Sequence, residues 1–182
     1  MVGLRAYDYV RDGCVVRLSE LSTSFQGDHV SHPPPDGSVE YARLMRLMNA
    51  GNEARRRGGG DVLAIAAATA IHAKRSIGAQ GQRDPLHRHA HILRSLKHPA
   101  EVLTLRRIYG PGFFLIGVVT DPTDRRAFLE TRKGCTSDEI DKLIRRDEHE
   151  GDIGQRTRDT FELSDVFLGR DPVRRDSRRG GA

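Results

Sequence analysis

Three histidines at alternate positions, His87, His89 and His91, open the stretch "HRHAHILRSLKHP" at 87–99. On a strand, alternate side chains share a face, and neutral imidazole is a common zinc or copper ligand. A closed zinc site is normally tetrahedral, and a catalytic one keeps protein ligands around a bound water. No Cys-x-x-Cys or His-Glu-x-x-His motif supplies the further ligands. The stretch therefore reads better as a basic approach to a short buried strand, "HILRSL", with no metal bound. Its carboxyl end carries Arg94, Ser95 and Lys97, where open α/β sheets bind ligands. Two cations and a hydroxyl there suit a nucleotide phosphate, and equally a solvated loop.

Other groups with chemical potential lie further along. Arg125, Arg126 and Arg132 flank a later predicted helix. Lid arginines steady transferring phosphates, but a charged helix face has the same pattern. "GQRTRDTF" at 154–161 offers Gln155, Arg156, Thr157 and Arg158 as donors to an anion, and Asp159 as a partner for an arginine. A ligand role and a loop-fixing role both fit it. Tyr41, Asn52 and Arg55 suit a substrate-side helix, with Tyr41 equally at home in a core. Glu101 and Asp121 are general bases in principle, but as helix-start residues they are more simply caps.

The elements that must position these groups alternate. "CVVRLSEL" (14–21) opens with a short β-branched run, read as strand. "STSFQGDHVSHPPPDGS" follows, and its three prolines and two glycines forbid regular structure. Residues 39–57 are helical, with Tyr41, Leu44, Met45 and Met48 on one face and Ser38 as cap. Gly58-Gly59-Gly60 stops that helix. Asp61 should cap "VLAIAAATAIHAKR", which is apolar nearly all round and so is expected to be buried. Pro99 fits the first turn of "AEVLTLRRIYG", where Val102, Leu105 and Ile108 share a side. "FFLIGVV" (113–119) is apolar at nearly every position, which marks a strand covered on both faces. Two helices follow, with capping signals at Asp121 and Ser137, and "DVFL" (165–168) is a last short strand. The order β-α-α-β-α-β-α-α-β argues for a doubly wound or kinase-like α/β domain.

Composition narrows the class. The 182 residues suit one domain. The net charge is +5, aromatics make up 5%, and there is no Trp, so the core is aliphatic. Basicity gathers in arginine clusters and in "GRDPVRRDSRRGGA", which suits a phosphate-bearing partner or solvated faces. The two cysteines lie far apart and form no disulfide framework, which points to a cytoplasmic location. No apolar run approaches the ~18 residues of a membrane span.

A resemblance covers roughly 14–168. "RSLKHPAEVLTLRRIYGPGFFLIGVVTDPTDRRAFL", "RDEHEGDIGQRTRDTFELSDVFL" and "YARLMRLMNAGNEARR" resemble the N-terminal domain of bacterial deoxycytidylate deaminase-related proteins that defend against phage. In that family a P-loop nucleotide-kinase-like domain, a parallel sheet with flanking helices, precedes a zinc-dependent deaminase. The resemblance implies zinc and a nucleoside triphosphate for the whole protein, but none held by this chain alone. The match is partial. No G-x-x-x-x-G-K-[ST] phosphate loop and no Pro-Cys-x-x-Cys zinc motif occurs, and "RRRGGGD" reads as a helix stop.

The expectation is thus an incomplete kinase-like domain over 1–168 and a disordered basic tail over 169–182. The first strand and phosphate loop would lie upstream of Met1. The expected role is nucleotide-binding or regulatory, without deaminase activity. Expected partners are a deoxynucleotide and the missing segments, another chain or a second copy, and no membrane. A nucleotide kinase is the first alternative. A nucleic-acid-binding module using the arginine clusters is the second.

Overall fold

The computed structural model describes residues 15–21, 37–78, 88–148 and 156–169. The fold is mixed α/β, mostly helical, with two small parallel sheets. Strand β1 (Val15–Arg17) runs straight into a one-turn helix α1 (Leu18–Leu21). Two long helices follow, α2 (Val39–Gly58) and α3 (Val62–Gly78), then β2 (Ile92–Arg94) and α4 (Pro99–Tyr109). After a 3-10 turn at Gly110–Gly112 come β3 (Ile116–Val119), α5 (Pro122–Thr131), α6 (Ser137–Glu148), α7 (Thr157–Glu162) and β4 (Val166–Gly169).

β1 pairs with β2 in parallel, Val16 opposite Leu93 and Arg17 opposite Arg94. β3 pairs with β4 in parallel, Ile116 opposite Val166 and Val118 opposite Leu168. Parallel pairing requires a long crossover between partners, and the segment from α1 to α3 between β1 and β2 supplies one.

Helix α2 joins two cores. Its carboxyl half places Ala54 with Val16, Leu18, Leu63, Ala67 and Ile71. Its amino half places Tyr41 with Cys135, Ile140 and Leu143 from the α5–α6 hairpin. A buried ion pair ties α2 to α4. Arg55 of α2 donates Nε and Nη2 to Glu101 Oε1 of α4 at 3.1 and 2.7 Å. Glu101 Oε2 accepts the backbone N–H groups of Lys97 and His98 at 2.8 and 3.2 Å. One carboxylate therefore fixes both a neighbouring helix and the loop that leaves β2. Removing either partner from such a pair leaves an uncompensated buried charge.

Several expectations need correction. The short β-branched run that opens 14–21 is β1, and at Leu18 the chain turns into α1. The strand read over 113–119 is limited to 116–119. Ile116, Val118 and Val119 are exposed, so its apolarity is not matched by cover among the described residues. Helix α3 is buried only on the face of Leu63, Ala64, Ala67 and Ile71, while Ile65 is exposed. Ile108 is likewise exposed, whereas Val102 and Leu105 are buried. Asp61 turns its carboxylate to Thr104 Oγ1 at 2.7 Å, which ties α3 to α4. The cap of α6 is Thr136 rather than Ser137, because Thr136 and Glu139 exchange side-chain to backbone hydrogen bonds. Helix α7 was not foreseen, its short polar sequence giving no periodicity. Asp121 does cap α5, accepting from Thr123 N at 2.8 Å, and Ser38 caps α2. The proline-rich segment and the tail beyond Gly169 lie outside the described residues, and no helix among those described is long and apolar enough to cross a membrane.

Candidate functional site

The carboxyl ends of β1 and β2 open onto a cleft of about 780 Å³. The polar side of the cleft comes from Arg17, Arg94, Ser95, Lys97 and Arg125. The apolar side comes from Leu44, Leu47 and Met48 of α2 and from Phe128 and Leu129 of α5. A cleft with an apolar wall and a few convergent polar groups has the general make-up of a small-molecule site.

Local structure explains how the polar side is presented. Arg17 and Arg94 are register partners at the last residues of their strands, so their side chains leave the same face of the sheet. That face is opposite the one on which Val16 and Leu93 meet the core. Ser95 follows with φ at 71°, in the left-handed region that a non-glycine residue rarely occupies. Such strain costs about 1–3 kcal/mol and clusters at ligand sites. The loop then turns into α4 through His98, whose Nδ1 accepts from Ala100 N at 3.2 Å in a capping box with Glu101. Gly60 packs so closely on His98 that a Cβ there would lie 2.6 Å from the imidazole. The β2–α4 loop is thus held from below by Glu101 and from the side by Gly60.

Most cations of the cleft already have partners. Asp147 of α6 is buried and accepts from Lys97 Nζ at 2.5 Å and Arg125 Nη2 at 2.8 Å, with Thr157 Oγ1 at 3.3 Å. Desolvation pushes the Asp147 pKa up, but the two cations outweigh it and hold the carboxyl below its usual range. Glu40 takes Arg43 and Lys133, whose hydrogen bonds bring its pKa down to about 2. Arg17 meets Glu20 at 2.8 Å on the exposed surface. Arg94 has no acceptor, and the Ser95 hydroxyl no hydrogen bond, among the described residues.

The sequence candidates divide accordingly. Arg94, Ser95, Lys97 and Arg125 come together in the cleft. Thr157 touches it through Asp147. Arg126 points instead to Asp141 of α6 at 2.6 Å. Arg132 sits exposed at the carboxyl end of α5. Arg158 faces solvent beside Glu162 at 3.8 Å. None of these last three lines the cleft. Arg156 pairs with Asp159, the loop-fixing role of that motif. Gln155 lies outside the described residues. Glu101 and Asp121 act as caps, and Tyr41 is a core residue. Arg17 and Asp147 were not read as site residues. Register exposes the first, and only the tertiary fold brings α6 to the loop after β2.

His87 lies outside the described residues, and no group of three or more metal-ligating side chains forms among those described. Burial, then Arg75, Lys74 and His89, lowers the pKa of His91, favouring a neutral ring.

Compared with protein-family models, curated proteins and solved structures, the chain finds no match.

Proposed function

We propose that this chain is the nucleotide-binding, regulatory part of a deoxycytidylate deaminase-related defence protein, with its ligand in the cleft at the ends of β1 and β2. The observation that carries the reading is the cleft itself. Arg94 and Ser95, whose side chains have no partner among the described residues, line the cleft beside Lys97 and Arg17, with Leu44, Leu47 and Met48 of α2 as an apolar wall. A base would lie on Leu47, Met48 and Phe128, and a phosphate would meet the cationic end.

The kinase-like form of this reading rests on the resemblance and draws support from topology. Both strand pairs are parallel, as the strands of a kinase-like sheet are. The chain's own residues bind and orient; no zinc ligand set or proton-shuttling Glu is proposed for it.

Calorimetric titration of the full chain with deoxycytidine monophosphate tests the proposal. Saturable binding that weakens in Arg94→Gln is expected, with no ammonia released. Absence of nucleotide binding, together with a salt-dependent shift of arbitrary DNA, would move the reading to a nucleic-acid module.

A further inference from the structure

We infer that the cleft is built for a single phosphate, a phosphomonoester, gripped between Arg17 and Arg94. This rests on the nucleotide-binding reading and adds the ligand's charge state and a second gripping residue.

The first ground is register. Arg17 and Arg94 stand directly opposite each other on neighbouring parallel strands, about 4.8 Å apart along the sheet. Like charges in that relation destabilise a sheet. Within the described residues the pair receives one carboxylate, Glu20, an exposed neighbour of Arg17. Two guanidiniums and one easily displaced carboxylate leave a local excess of positive charge. An oxyanion placed between them removes the repulsion and accepts from both forks, the geometry in which arginine recognises phosphate.

The second ground is the backbone. Ser95, next to Arg94, holds its left-handed φ although no hydrogen bond of its side chain rewards that conformation among the described residues. Ser95 in that conformation lines the cleft next to Arg94.

The third ground is charge balance, which fixes the ligand class. A phosphomonoester carries about −1.5 to −2 at neutral pH, matching two arginines. The other lining cations are paired with carboxylates: Lys97 and Arg125 with Asp147, Arg55 with Glu101 through Nε and Nη2, Arg43 and Lys133 with Glu40. A triphosphate would bring further negative charge next to Asp147, and meeting it would mean stripping those cations from buried or shared carboxylates. The site should therefore favour a nucleoside monophosphate over the corresponding triphosphate.

The test is titration of the full chain with deoxycytidine, its monophosphate and its triphosphate, in wild type, Arg17→Gln and Arg94→Gln. Both arginines are at the surface end of β1–β2, and an unchanged circular dichroism melt checks that each variant folds. The expected result is monophosphate binding at least as tight as triphosphate, weakened about tenfold or more by either substitution, since hydrogen bonds to charged groups are worth about 1.5–3 kcal/mol. Deoxycytidine should bind far more weakly and equally in all three proteins. Monophosphate binding that Arg17→Gln leaves unchanged, or a clear preference for triphosphate, overturns this inference while leaving the nucleotide reading standing. Binding of none of the three overturns both.

Discussion

Val16 in β1 is 7% exposed and Val118 in β3 is 64% exposed, although both belong to short parallel pairs. Around β1–β2, helices α2 and α3 pack on the face of Val16, while Val15 and Arg17 on the other face are exposed. Around β3–β4, the face made by Ile116, Val118, Val166 and Leu168 is open, and Phe114 beside it is exposed as well. The opposite face of that pair is partly filled: Gly117 is buried against Phe161 and Ser164, and Phe161 stacks on Phe167 at 4.8 Å. The contrast shows that apolar sequence fixes what a strand prefers, while neighbours decide whether the preference is met. It also separates a polar opening, suited to a small charged ligand, from an apolar one, suited to more polypeptide.

The largest effect should come from the ion pair beneath the polar opening. Glu101→Ala strands buried Arg55 and releases the Lys97 and His98 N–H groups, so a loss of about 3–5 kcal/mol is expected in urea denaturation. A near-neutral result would mean that the β2–α4 loop is held by other contacts.

The two regions should also respond differently to the same truncation. Leu105→Ala, in the covered region, should cost about 2–5 kcal/mol. Ile116→Ala, on the open face, should stay within about 0.5 kcal/mol. Equal losses would show that the β3–β4 face is covered in solution.

If that face is open, the chain should associate as its concentration rises. Sedimentation of the paired substitution Ile116→Lys with Val118→Lys should shift toward monomer with little change in melting temperature. Unaltered sedimentation would place any association elsewhere.

The smallest effect concerns pH. Glu40 and Asp147 have lowered pKa values in the folded chain. A depressed carboxylate adds stability above its unfolded pKa and loses it as pH falls toward its folded pKa. Stability from Glu40 should therefore be intact above 4.5 and fade toward about 2. Because the pair sits near the surface, in partial contact with water, the change attributable to it should be under about 1 kcal/mol. Urea midpoints at pH 7, 5 and 3, in wild type and Lys133→Met, measure it.

Much of this was legible in the sequence where one local rule decides the outcome. Pro99 at a first helical turn, Ser38 and Asp121 as caps, and Gly58 as a helix end are all observed. That Arg94, Ser95 and Lys97 gather at one end of β2 was legible too, because Arg94 ends the strand and the other two follow within three residues. What was hidden depends on partners distant in sequence. Asp147 meets Lys97 across 50 positions, and Arg17 gains meaning only from its register with Arg94. The exposure of β3 was hidden for the same reason, since an apolar run looks alike whether or not another element packs on it.

Backbone amide NMR of the full chain with added deoxycytidine monophosphate tests the central claim most directly. The account predicts saturable shifts concentrated at Arg17, Arg94, Ser95 and Lys97, with the amides of Ile116–Val119 and Val166–Gly169 unmoved. Shifts confined to those two strands, or none at all, would contradict it.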